Sequence, residues 1–157
     1  MEYTCSIIIH LPRDRVVALF DDTANLKRWQ PTLRSVELLE GLPGQVGSRS
    51  RLRYQQRGRA SELIETVTVR ALPERFTGTY EMPGTWIEVD NRFEVLDAEE
   101  TRWTSACEWR CQSLMIRLMT LLVPGMFRKQ TQKFMQQFKD FAENQTDEGL
   151  ERTRYEP

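Results

Sequence analysis

The stretch SRSRLRYQQRGRASELIETVTVR, residues 48–70, sets arginine at 49, 51, 53 and 57 and interleaves Ser50, Leu52, Tyr54 and Gln56. Successive side chains of a strand point to opposite faces, so this spacing puts the arginines on one side and the apolar and aromatic groups on the other. Two readings compete: a cationic arm for nucleic acid, or the water-facing side of a half-buried strand. A turn centred on Arg57-Gly58 sets Arg53 opposite Glu62 and Leu52 opposite Leu63, a charge pair outside and an apolar pair inside. A turn at 58–59 keeps the faces but loses the charge match. On the outer face no aromatic residue stands among the arginines to stack bases. The chain carries 22 basic against 23 acidic side chains, a net charge of -1, and so has no overall cationic field. The solvated face is the favoured reading, and nucleic acid is not an expected partner.

Working outward from this hairpin, residues 2–10 alternate as a strand, with Tyr3, Cys5, Ile7 and Ile9 on one face. Pro12 and Asp14 suit a helix start, and Val16, Leu19 and Phe20 recur at helical spacing. A second short helix is expected over Thr23 to Trp29, stopped by Pro31. Strands then follow at 33–40, 48–57, 60–70, 75–82, 85–97 and 101–112, with connections short enough for an antiparallel meander. The glycines of GLPGQVG (41–47) are three apart with no helix behind them, which fits a long turn better than a phosphate cradle. After Pro124-Gly125, the residues Phe127, Phe134, Phe138 and Phe141 form an inward stripe on a helix over about 126–143. The polar residues 145–157 read as a tail.

The single histidine, His10, and three cysteines at 5, 107 and 111 offer no ligand spacing for a metal, and nothing calls for a cofactor. Cys107 and Cys111 on one strand stand about 13 Å apart, too far for a disulfide. The N-terminus lacks the features of a signal peptide, and the apolar run 114–127 is broken by Arg117 and Pro124-Gly125. The expectation is a soluble cytoplasmic protein.

The order of strand, two short helices, six-strand meander and long helix resembles the START-like helix-grip superfamily (SRPBCC-type), in particular its polyketide cyclase/dehydrase and lipid-transport branch. The resemblance spans about residues 2–144 and is carried by NLKRWQPTLRSVELLEG (25–41), by Gly47, and by LMTLLVPGMFRKQTQKFMQQFKDFAE (118–143). It implies an α+β fold: a seven-stranded antiparallel sheet wrapped around the C-terminal helix, forming one ligand-binding domain over 1–144 with a cavity between sheet and helix.

Given that fold, the alternation nominates Tyr54, Glu65, Tyr80, Asn91, Phe93, Trp103 and Trp109 from the sheet, and Phe134 and Phe138 from the helix, as ligand-binding candidates. Glu65, between Leu63 and Val67, and Asn91, between Val89 and Phe93, are polar groups in apolar surroundings. Such groups either find partners within the protein, with Tyr54, Tyr80 and Ser105 on the same inward face, or orient the polar end of a ligand. Cyclase or dehydratase chemistry needs a proton acceptor and donor, and this set holds no histidine and one carboxylate, Glu65. Binding or carriage of a small hydrophobic molecule, such as a lipid, quinone or aromatic polyketide-like compound, is therefore the first expectation. A cyclase/dehydratase is the alternative, and an interaction module using the arginine face or the apolar 114–123 segment is a third. That segment is also where transient membrane contact is expected.

Overall fold

The computed structural model describes residues 1–154, with side chains for 1–145. Seven strands lie among the described residues: β1 (Glu2–Ile9), β2 (Leu33–Glu40), β3 (Arg49–Gln56), β4 (Arg59–Ala71), β5 (Arg75–Met82), β6 (Thr85–Asp97) and β7 (Glu100–Cys111). They form one antiparallel sheet in the order β1-β7-β6-β5-β4-β3-β2, so the first two strands occupy opposite edges. The link between them holds α1 (Arg13–Asp21), a 3-10 turn (Thr23–Asn25) and α2 (Leu26–Trp29). Each piece has a local cause. Backbone N–H groups of Arg15 and Val16 close on the Pro12 carbonyl to start α1. Asp22 then caps the next turn by accepting from the Ala24 N–H at 3.0 Å.

The hairpin of β3 and β4 turns at Arg57 and Gly58, both with positive φ (50° and 75°), as a two-residue hairpin requires. Its register pairs Arg53 with Glu62 and Leu52 with Leu63. The arginine face is consequently occupied by carboxylates. Arg53 meets Glu62 at 3.0 Å, Arg51 meets Glu37 at 2.9 Å and Glu62 at 3.0 Å, and Arg49 meets Glu40 at 3.4 Å. Leu52, on the opposite side, is buried.

Two helical features differ from the sequence expectation. Residues 114–122 form a helix of their own, α3 (Leu114–Leu122). The last helix, α4, starts at Pro124 and runs to Arg154 rather than stopping near 143. Pro124 suits a first helical turn, and beyond 143 the sequence supplies Gln145, Glu148 and Glu151, which are good helix formers. Residues 155–157 of the expected polar tail lie outside the described residues.

Helix α4 packs chiefly on β1 and touches α2. Where β1, α1 and α4 converge, the core is dense: Ile9, Val16, Met135, Phe138 and Ala142 show no exposed surface. Phe20 joins this core to the sheet through ring contacts at 5.1 Å with Phe93, 5.6 Å with Trp103 and 5.9 Å with Phe138. Because the helix leans toward the β1 edge, a space remains between it and the inward face of β2–β7.

Candidate functional site

That space is a cavity of about 750 Å³, within the usual range for a pocket that encloses a drug-sized molecule. Its walls come from both layers. Tyr54, Phe76, Tyr80, Trp103 and Trp109 face it from the sheet, and Phe134 from the helix. Trp29 closes it on the α2 side, its ring 4.6 Å from that of Phe134.

The sheet register explains why polar groups gather at two places. Glu65 lies directly between Ser50 on β3 and Tyr80 on β5, and all three line the cavity. Burial pushes the Glu65 carboxyl above its ordinary range, and a hydrogen bond with Tyr80 opposes part of that rise. The surface that Glu65 retains faces the cavity, where apolar walls give a carboxylate little of the stabilisation it finds in water. Tyr80 is itself held far above the usual phenol range by burial and by the adjacent carboxyl. Tyr54 is raised for the same two reasons. Both phenols therefore stay protonated and act as donors. Tyr54 uses its proton on Gln30 Oε1 at 2.8 Å.

The second polar group sits where β1, β7 and α4 meet. Trp109 Nε1 donates to the Tyr3 hydroxyl at 3.1 Å, and Tyr3 lies 2.9 Å from Thr131 Oγ1. With its oxygen accepting from the indole, Tyr3 has its own proton available for Thr131. Burial, against the hydrogen bonds with Thr131 and Trp109, lifts the Tyr3 phenol to about 12. Cys107 is close by, its thiol raised chiefly by burial and thus protonated.

The nominated residues divide on this geometry. Tyr54, Glu65, Tyr80, Asn91, Trp103, Trp109 and Phe134 all border the cavity. Phe93 and Phe138 do not: they are 2% and 0% exposed inside the aromatic core around Phe20, and their place is a correction to the expected lining. Alternation assigns a face of the sheet, but it does not say which part of that face the helix covers. Asn91 is buried, and its Oδ1 accepts from Trp103 Nε1 at 2.9 Å, so its carbonyl is already engaged within the protein by a residue other than those considered from sequence. Sequence reading passed over Tyr3, Gln30 and Thr131. Tyr3 was legible as the inward partner of Cys5 and Ile7, whereas Gln30 follows a helix end and carries no periodic signal. Among the described residues no cluster of histidine, cysteine, aspartate and glutamate is arranged to hold a metal ion.

Chemically the site offers an aromatic enclosure, one carboxyl biased toward its neutral form, and phenol and hydroxyl groups fixed at two positions on its wall. Residues 1–143 match the family described as polyketide cyclase / dehydrase and lipid transport. No curated protein matches the sequence. Among solved structures, the Zhui aromatase/cyclase from Streptomyces sp. R1128 is similar with a TM-score of 0.77 at 14% identity, over 93% of this chain and 95% of that one. A START superfamily protein from Mycobacterium smegmatis gives a TM-score of 0.75 at 11% identity, over 91% and 97% of the two chains. Norcoclaurine synthase from Thalictrum flavum gives 0.70 at 8% identity, over 93% and 96%. At such identities these likenesses establish the helix-grip fold.

Proposed function

The chain belongs to the polyketide cyclase/dehydrase and lipid transport family, and from that premise we propose that it binds and carries a small, largely apolar molecule with a polar end, held between sheet and α4. The observation that carries this reading is Glu65, a carboxyl set beside Tyr80 inside a largely apolar cavity. A polar pair in such a place orients whatever enters. The rings of Phe76, Trp103, Trp109 and Phe134 favour a flat, aromatic guest of quinone or polyketide type over a flexible acyl chain, because offset ring contacts add to the gain from area burial.

The test is native mass spectrometry of the purified protein, followed by titration with a panel of fatty acids, sterols, quinones and aromatic polyketides. Glu65→Gln keeps the shape and removes the charge, and should weaken an identified ligand by about 1–3 kcal/mol. A ligand whose affinity ignores this change would remove Glu65 from the orienting role. Asn91→Leu is the companion variant, and its effect includes the loss of a partner for Trp103.

A second reading, a cyclase or dehydratase using the same cavity, is favoured by the same carboxyl. A carboxyl whose pKa burial raises and that is hydrogen-bonded to a phenol has the form of a general acid and base pair. Turnover of a bound polyketide-like compound, governed by one ionisation that Glu65→Gln abolishes, would establish it over carriage.

A further inference from the structure

Helix α3 turns its apolar side away from the protein. Leu114, Met115, Leu118, Leu121 and Leu122 are between 55% and 80% exposed, and Met119 is 42% exposed. At 3.6 residues per turn these six fall within an arc of about 160°, while the half-buried Ile116 and Thr120 take the inner side. The patch continues over the junction with α4 through exposed Val123 and Met126. A contiguous apolar surface of this kind marks an interaction face.

Charge identifies the partner. From residue 109 to 139 the sequence contains six cations, Arg110, Arg117, Arg128, Lys129, Lys133 and Lys139, and no aspartate or glutamate. Arg110 is tied to Glu108 and Lys139 to Glu143. Arg117, Arg128, Lys129 and Lys133 have no ion pair among the described residues, and all four are exposed. Arg117 borders the apolar arc, and Lys129 and Lys133 line a shallow groove with Val123 and Met126 at the start of α4. Gln130 lines both this groove and the large cavity, so the face adjoins the binding site.

We infer that α3 and the first turns of α4 dock on an anionic lipid bilayer surface. An apolar arc with cations at its border suits the interface between acyl chains and acidic headgroups. No helix of the described residues is long and apolar enough to cross a membrane, so α3 would lie along the surface. A second copy of the chain is the poorer occupant, because a two-fold contact would set these cations against their own equivalents with no carboxylate on the face. The inference is separate from what the cavity holds.

The experiment is co-sedimentation with vesicles of phosphatidylcholine alone and of phosphatidylcholine mixed with phosphatidylglycerol, at low salt and at about 0.5 M salt. The protein should bind the mixed vesicles, and binding should fall roughly tenfold or more without phosphatidylglycerol, at high salt, and in the double variant Lys129→Glu, Lys133→Glu. The double variant Leu118→Glu, Leu121→Glu, whose positions are exposed enough to leave the melting curve unchanged, should lose binding as well. No binding to mixed vesicles, or binding that both double variants retain, overturns the inference. So does a dimer in sedimentation analysis that Leu118→Glu, Leu121→Glu dissociates while vesicles are ignored. Titration of the cavity with an apolar ligand is read independently and decides only the carrier proposal.

Discussion

Glu65 on β4 stands directly across the sheet from Tyr80 on β5, and the two side chains meet inside the cavity rather than in water. The pairing has a consequence for stability. Burial, which outweighs the opposing pull of the Tyr80 hydrogen bond, makes the folded protein favour the neutral carboxyl. A carboxyl with a raised folded pKa gives a contribution that is whole below its unfolded value, about pH 4, and is lost as pH rises through the folded value. Glu65→Gln removes that loss. The variant should match the parent near pH 4 and be the more stable of the two at pH 8, with the gap widening between, as followed by urea denaturation at each pH. A less stable variant at pH 8 would mean that the hydrogen bond to the ionised form outweighs burial.

Phe134 and Phe138 share a helix face but not a fate. Phe138 shows no exposed surface and touches Trp29, Trp103 and Phe20, so Phe138→Ala should cost about 3–5 kcal/mol. Phe134 borders the cavity, where one side of the ring already lacks neighbours, and Phe134→Ala should cost about 1–3 kcal/mol. Denaturant titration measures both. Equal losses would place Phe134 in the core as well.

The arginine face of β3 should not bind nucleic acid. Arg51 spans Glu37 and Glu62, and Arg53 is held by Glu62, so the cations are matched before any polyanion arrives. Fluorescence anisotropy with a short labelled DNA should show no saturable, salt-sensitive binding, and Arg51→Ser should leave the trace unchanged. Saturable binding lost in that variant would reverse the assignment.

Much of this architecture was readable from local signals. The Arg57-Gly58 turn and the alternation on either side of it define a register, and once Arg53 faces Glu62 the neighbouring rows follow. The strand bounds at 33–40, 75–82 and 85–97 agree with the structure because turn residues bracket period-two patterns. Depth was not readable. Phe93 and Phe138 obey the same periods as Trp109 and Phe134, and only the lean of α4 toward β1 separates core from cavity wall. Contacts set by the packed structure were also beyond reach: Tyr3 with Thr131 and Tyr54 with Gln30 depend on how the layers meet, and Asn91 with Trp103 on a diagonal reach between the neighbouring strands β6 and β7. The apolar run at 114–122 was visible as composition, but its outward orientation contradicts the usual inward stripe, and pattern alone cannot supply it.

Arg70 is the remaining long-range contact with a functional consequence. Its two terminal nitrogens reach the two carboxylate oxygens of Asp21 at 2.6 Å each, and Nη1 also donates to the Gly44 carbonyl at 3.0 Å. One guanidinium thereby fastens the end of α1 and the β2–β3 loop to β4. Asp21 and Gly44 both border the cavity, so this clamp defines part of its rim. Arg70 and Asp21 are 25% and 31% exposed, which leaves some screening by solvent, and Arg70→Ala should cost about 1–3 kcal/mol. Arg70→Lys keeps the charge but lacks the planar fork, and should recover only part of that loss. The loop has two further anchors, the Gly47 N–H on the Val67 carbonyl at 2.8 Å and the Val67 N–H on the Ser48 carbonyl at 3.1 Å, so it should loosen rather than detach. Limited proteolysis should therefore cut the parent slowly within 41–47 and Arg70→Ala faster, with Arg70→Lys between them. Unchanged cleavage in Arg70→Ala would show that the backbone bonds of Gly47 and Ser48 to Val67 hold the rim without the guanidinium, and a double-mutant cycle with Asp21→Ala would then give no coupling.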